Sequence, residues 1–381
     1  MSNHISPPEN HQIPTLNFDH LEVFSALGRG SKGVVFLVKA ENKRLALKVI
    51  LRESIETKEV KDDEYRRVSF EQGVLSRFEH PLFPRLHGIL STDKVVGYAI
   101  DYCPGRDLNS LRKKQLEEMF SDDIIRFYAA ELVIALEYLH NQGIVYRDLK
   151  PDNVMIQENG HLMLVDFDLS TNLPPRTPRF SSPSPRLSTP TKKERSFFAF
   201  SGFCNSGISP DDSVSRSSES ESSGEKSNSF VGTEEYVAPE VIAGNGHDFA
   251  VDWWSLGVVL YEMLYGATPF RGSNRKETFF KILSEPPSLV GQTTPLRDLV
   301  RKLLEKDPSR RINVEGIKGH DFFRGLDWDL VVKVSRPPYI PAPENYEISK
   351  IDVEKFVHDI FTDNSNMKTN DQINNGNFNV F

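Results

Sequence analysis

The chain of 381 residues predicts an α+β fold in two lobes, a small β-rich N-lobe followed by a larger helical C-lobe. Three observations carry this expectation. Apolar residues recur with period two up to about Tyr102 and with helical spacing from Asp107 onward. A glycine-rich turn, Gly28-Arg29-Gly30-Ser31-Lys32-Gly33, runs into the β-branched stretch Val34-Val35-Phe36-Leu37-Val38 rather than into a helix. The length exceeds that of one average core, which makes two core-forming lobes with added segments the natural division. The expected boundaries are a flexible N-terminal tail over 1–17, an N-lobe over 18–102, a C-lobe over 103–323 and a C-terminal tail over 324–381.

Composition excludes several function classes. A net charge of -8 argues against broad attraction to nucleic acid or anionic lipid and suits basic partners. The two cysteines, Cys103 and Cys204, lack metal-type spacing and fit a reduced intracellular compartment, cytoplasm or nucleus. The first residues show no basic patch before an apolar run, and Ser2 stands where myristoylation would need glycine. The most apolar stretches, Leu132 to Leu139 and Trp253 to Tyr265, carry Glu137 and Glu262 and are too short to span a bilayer. No integral membrane segment is expected, and peripheral attachment to the plasma membrane is left open.

In chain order, Leu21 to Leu27 reads as a strand leading into the glycine-rich turn, with a second strand at Val35 to Val38. Glycines there let backbone amides approach phosphate oxygens without a clashing side chain. Leu45 to Ile50 is an apolar strand with Lys48 inside it. A buried lysine calls for a carboxylate, and the helical stretch Ser69 to Leu75, with Phe70, Val74 and Phe78 on one stripe, offers Glu71. Glu64 is the alternative, within a charged run that reads as a solvated face. Val95 to Tyr102 is a further strand, and Cys103-Pro104-Gly105-Arg106 a turn joining the lobes.

The C-lobe holds the stretch that organises the chain. Val145 to Asn153 reads V-Y-R-D-L-K-P-D-N, and Leu164-Val165-Asp166-Phe167-Asp168 follows a small hairpin, Val154-Met155-Ile156 against Leu162-Met163-Leu164. These residue types at these offsets suit phosphoryl transfer from a nucleotide. Asp148 is placed to orient a hydroxyl and accept its proton, Lys150 to sit beside the moving phosphoryl group, and Asn153 and Asp166 to hold magnesium with hard oxygen donors. Composition then breaks: residues 171–228 are crowded with Ser, Pro and charge and read as a disordered insertion. Order is expected again from Ser229-Phe230-Val231-Gly232-Thr233-Glu234-Glu235-Tyr236 to Ala238-Pro239-Glu240, with Arg311 placed to pair with Glu240. Asp252-Trp253-Trp254 opens the most apolar helix.

From Phe18 to about Phe323, outside the insertion, these motifs resemble those of the serine/threonine protein kinases of the AGC group. Asp166-Phe167-Asp168 in place of Asp-Phe-Gly, the long insertion in the activation segment and the terminal Phe378-Asn379-Val380-Phe381 are similar to plant AGC group VIII, which implies the bilobal protein-kinase fold and a role in oxidative-stress signalling. The resemblance implies ATP and Mg2+ as cofactors, protein substrates and a monomer. It assigns nucleotide binding to Leu27, Gly28, Gly30, Gly33, Val35, Lys48, Glu71 and Asp107, and an apolar stack between the lobes to Phe167, Leu75 and Tyr146. Ser229 matches the activation-loop phosphosite, with Arg147 to receive its phosphate. Phe378 and Phe381 form the F-x-x-F that docks on the phosphoinositide-dependent kinase. Asp107, Asp152 and Glu262 fall where such kinases read arginines upstream of the acceptor. A pseudokinase scaffold is the alternative. Residues 344–377 match no tail motif, and Asp168 replaces a glycine whose φ freedom lets the magnesium motif rearrange.

Overall fold

The structure, a computed structural model, describes residues 13–30, 33–55, 61–173, 232–335, 337–342, 348, 351–362 and 379–380. The small lobe contains β1 (Thr15–Leu16), β2 (Leu21–Arg29), β3 (Gly33–Ala40), β4 (Lys43–Leu51), α1 (Arg52–Ile55), α2 (Lys61–Leu75), β5 (Leu86–Ser91) and β6 (Val95–Asp101). The large lobe follows with α3 (Leu108–Arg112), α4 (Asp122–Asn141), β7 (Ile144–Val145), β8 (Val154–Ile156), β9 (Leu162–Leu164) and β10 (Thr171–Asn172). Beyond the gap lie α5 (Pro239–Ile242), α6 (Ala250–Tyr265), α7 (Arg275–Ser284), α8 (Pro295–Leu303) and α9 (Val314–Lys318), then α10 (Val353–Thr362) and β11 (Asn379–Val380) in the tail. The expected α+β division into two lobes is what the chain forms.

The small-lobe sheet has the order β1-β5-β6-β4-β3-β2-β11. Strand alternation gives it two faces. Val35, Ala46, Lys48 and Ile50 face the cleft between the lobes, while Val34, Phe36, Leu47 and Val49 form an apolar cluster on the other face. Gly33 is required by close approach: a Cβ there would lie 2.5 Å from the Val49 carbonyl oxygen. Thr15 and Leu16, assigned from the sequence to the tail, pair in parallel with Ile89 and Leu90. Order thus begins before Phe18.

In the large lobe, α6 is apolar on nearly every face and is buried accordingly, which makes it the lobe's central helix. It stops at Gly266, whose φ of +75° is the left-handed cap that glycine adopts without strain. Asp122 and Asp123 in the first turn of α4 complement its dipole. Pro295 follows the N-cap Thr294, whose hydroxyl accepts from Arg297 N, and so starts α8. Thr171 and Asn172, placed by composition in the insertion, instead pair with β7, and Leu173 N donates to Gly143 O at 2.7 Å. Residues 174–231, including Ser229 and Cys204, lie outside the described residues, as do Phe378 and Phe381.

Candidate active site

A cavity of about 350 Å³ lies between the lobes. Leu27, Gly30, Gly33 and Val35 roof it, Lys48 and Glu71 stand at its back, and Asp148, Lys150, Asp152, Asn153 and Asp166 form its floor. Eleven residues singled out in the sequence are thereby brought together. Gly28 and Asp107 are not part of the lining. Both Asp107 oxygens serve α3: Oδ1 accepts from Ser110 N at 2.7 Å and Oδ2 from Ser110 Oγ at 2.6 Å. Glu262 is likewise buried in a protein network, accepting from Tyr236 OH at 2.5 Å and pairing with Arg112 at 3.0 Å.

The Lys48 ammonium lies 3.1 Å from Glu71 Oε2 and 3.2 Å from Asp166 Oδ1. Burial pushes Lys48 down, but Asp166 and Glu71 overcome it and hold the ammonium well above its ordinary range. For Glu71 burial prevails over Lys48 and raises the carboxyl, whereas at Asp166 burial is overcome by Lys48 together with Lys150 and the Asp168 backbone, and the carboxyl is lowered. Phe167 N also donates to Glu71 Oε1 at 3.1 Å, linking α2 to the Asp166-Phe167-Asp168 turn. The Phe167 ring packs 5.0 Å from Phe78 and 5.4 Å from Tyr146, within the core that includes Leu75.

Asp148 is the meeting point of the floor. Its Oδ1 accepts from Thr233 Oγ1 at 2.8 Å, and its Oδ2 accepts from Lys150 at 3.1 Å and from Asn153 Nδ2 at 3.0 Å. Lys150 also reaches Thr233 Oγ1 at 3.2 Å, so Gly232-Thr233 is tied to the catalytic loop. Burial raises the Asp148 carboxyl against the opposing pull of Lys150. Asn153 Nδ2 also donates to Asp148 O at 2.9 Å, which turns the amide oxygen into the hard donor of that side chain. One carboxylate and one amide oxygen on a cleft that would admit phosphates suit magnesium, which keeps waters and takes few protein ligands. Among the described residues no group of three or more His, Cys, Asp or Glu is arranged for a metal.

Two residues in strained backbone shape this floor: Arg147 has φ +68° and Asp166 φ +60°. Arg147 is held by Asp252, a residue that sequence reasoning treated only as a helix opener. Asp252 Oδ1 accepts from Arg147 N at 2.8 Å, and Oδ2 from Tyr146 N at 2.9 Å and contacts His140 Nε2 at 2.8 Å. A charge in an otherwise apolar helix was the available signal. Tyr98 was also missed; it is buried beside Glu71 and hydrogen-bonds it, with Lys48 5.7 Å from its ring centre. Arg147 Nε donates to Leu169 O at 2.6 Å, and burial, with Arg67 nearby and Asp252 opposing, pulls the guanidinium down to about 10.

A two-lobed fold with this lysine–glutamate pair, this aspartate-centred loop and this second aspartate defines a nucleotide-dependent phosphotransferase of the eukaryotic protein-kinase type. The family model described as "Protein kinase domain" matches residues 21–190 and 214–323, and the chain belongs to that family. It is similar to the serine/threonine-protein kinase OXI1 of Arabidopsis thaliana, 69% identical over 97% of this chain and 91% of the relative. It is also similar to the serine/threonine-protein kinase UCNL of the same plant, 42% identical over 90% of this chain and 88% of the relative. Phototropin-1A of rice (Oryza sativa subsp. japonica) is 38% identical over 90% of this chain but only 35% of its own length.

Proposed function

We propose that the cleft transfers the γ-phosphoryl group of ATP to a serine or threonine hydroxyl of a protein substrate, with Asp148 as the base. The observation that carries this is the shared carboxylate of Asp148, bonded at once to Thr233, Lys150 and Asn153. Kinship with relatives named serine/threonine-protein kinases supports the acceptor class. In this reading the glycine-rich turn lays backbone amides over the phosphates, and Lys48, fixed by Glu71, grips them. Asp148 orients the attacking hydroxyl and takes its proton, and Lys150 neutralises charge on the transferred group. Asn153 and Asp166 would hold magnesium, which supplies charge neutralisation between the phosphates when bound. A pseudokinase scaffold has little in its favour, since Lys48, Glu71, Asp148, Asn153 and Asp166 all line one cavity.

Specificity is read by charge. Asp152, which lines the cavity and accepts from Asn109 Nδ2 at 3.0 Å, is the principal reader of an upstream arginine; Glu262, already paired with Arg112, assists. Activation proceeds by phosphorylation of Ser229, received at Arg147 with Arg67 beside it, after a phosphoinositide-dependent kinase docks on Phe378 and Phe381. ATP dependence and the free thiol of buried Cys103 fit an intracellular setting. Among the described residues, no helix is long and apolar enough to cross a membrane.

A peptide panel varying the acceptor (Ser, Thr, Tyr) and the residues two and three positions upstream tests the chemistry. Turnover is expected for Ser and Thr with Arg or Lys upstream, and equal use of Tyr or indifference to basic residues would reject it. The Phe378→Ala and Phe381→Ala chain is expected to lose Ser229 phosphorylation by the upstream kinase; undiminished incorporation would reject the docking route.

A further inference from the structure

The apolar face of the small-lobe sheet that points away from the cleft is covered by the tail. Val353 and Val357 of α10 are buried against Val34, Phe36, Leu47 and Val49, and Phe356 meets Phe36 edge to face at 5.6 Å. At its first turn the helix is pinned to the β5–β6 connection: Glu354 accepts from Thr92 Oγ1 at 2.7 Å and pairs with Lys94 at 3.3 Å.

Its last turn reaches the glycine-rich turn. The β2–β3 register passes from Ala26 opposite Phe36 to Gly28 opposite Val35, so Leu27 is an extra residue, a β-bulge. A bulge reverses the alternation and re-aims the side chains beyond it. Leu27 therefore roofs the cleft, and Arg29, opposite Val34, turns to the other face. There its guanidinium stands 4.9 Å from the ring centre of Phe361 and donates to Ile360 O at 3.3 Å. Both contacts favour a cation: an aromatic face, and a carbonyl of the helix's last turn at the negative end of its dipole. The edge of β2 at Gly28 and Arg29 is in addition paired with β11.

We propose that α10 is a positioning element for nucleotide binding, acting through Arg29: the helix, fixed at Glu354, holds the start of the glycine-rich turn at the distance from the floor that ATP requires. The side chains of Arg29 and Phe361 touch no substrate in this scheme. They set the loop that does. The inference rests on reading the cleft as an ATP site.

The test uses the full chain carrying Arg29→Ala, Phe361→Leu, both together, or Phe361→Trp, and measures ATP affinity by calorimetry, KM for ATP, kcat and melting temperature. Arg29→Ala and Phe361→Leu are each expected to weaken ATP binding and raise KM by about 3- to 10-fold, the worth of such a contact. Their kcat and melting temperature stay near those of the parent. The double variant is expected to match Arg29→Ala, because that change already removes both contacts to the helix. Phe361→Trp, which keeps the aromatic face, is expected to restore affinity. Unchanged affinity in the single variants of an ATP-binding parent overturns the inference alone, as do additive effects or a KM that rises only in step with lost melting temperature. A parent chain that binds no ATP overturns the nucleotide reading, and this one with it.

Discussion

With Asp148 as the proposed base, its protonation is expected to set the acid limit of the reaction. Burial holds its carboxyl above the ordinary 3.8 of aspartate, with Lys150 and the Thr233 hydroxyl pulling the other way. A base in that position would work as the carboxylate, so activity is expected above the raised value and is expected to be lost as pH falls through it. The acid limb of kcat/KM against pH is therefore expected to have its midpoint above 3.8, and a midpoint at or below that value would contradict the burial argument. The left-handed residue of the Asp166-Phe167-Asp168 turn is Asp166, not Asp168. Position 168 thus makes no demand for glycine here, and an aspartate is accommodated with its side chain on the cavity wall. Asp148, Lys48 and Glu71 were legible in the sequence because each is a charge in a telling local pattern. Tyr98 and Arg29 were not, since the first acts across the sheet and the second depends on a bulge that only the strand register reveals.

Among the elements, α5 and the segment before α9 are joined by the Glu240–Arg311 pair, with Nη1 to Oε1 at 2.7 Å and Nη2 to Oε2 at 2.9 Å. The Arg311 side chain is 0% exposed, and it also donates to Ala250 O at the start of α6. Removing one partner of a buried pair leaves the other charge without compensation, which costs roughly 3–5 kcal/mol. Arg311→Ala is accordingly expected to unfold at lower urea with about that loss of stability. A change under about 1 kcal/mol would show that the pair is dispensable. This pairing could be anticipated from Ala238-Pro239-Glu240, and the strands and helices followed from the switch between periods two and 3.6. The pairing of Thr171 and Asn172 with β7 could not be anticipated: two polar residues at the edge of a Ser/Pro-rich stretch carry no local sign of a distant strand.

The folded molecule extends beyond the family match, which ends at residue 323. α10 is amphipathic in the sequence, but its seat on the small-lobe sheet is a tertiary fact. Full burial of an apolar side chain stabilises by about 1.5–3 kcal/mol, so Val353 and Val357 together contribute up to roughly 3–6 kcal/mol. A chain ending at Ala342 is expected to bind hydrophobic dyes and to melt roughly 6 °C or more below the full chain; equal melting would show that the sheet does not need this cover. Both lobes contribute to one arrangement, in which Lys48, Asp148, Asn153 and Asp166 face a single cavity. Transfer of label from γ-labelled ATP to a Ser peptide with upstream arginines, compared between the parent and Asp166→Ala at matched melting temperature, tests that arrangement most directly. The parent is expected to incorporate label, with the variant down by about 100-fold or more. Equal incorporation by the two chains, or none by the parent after Ser229 phosphorylation, would contradict it.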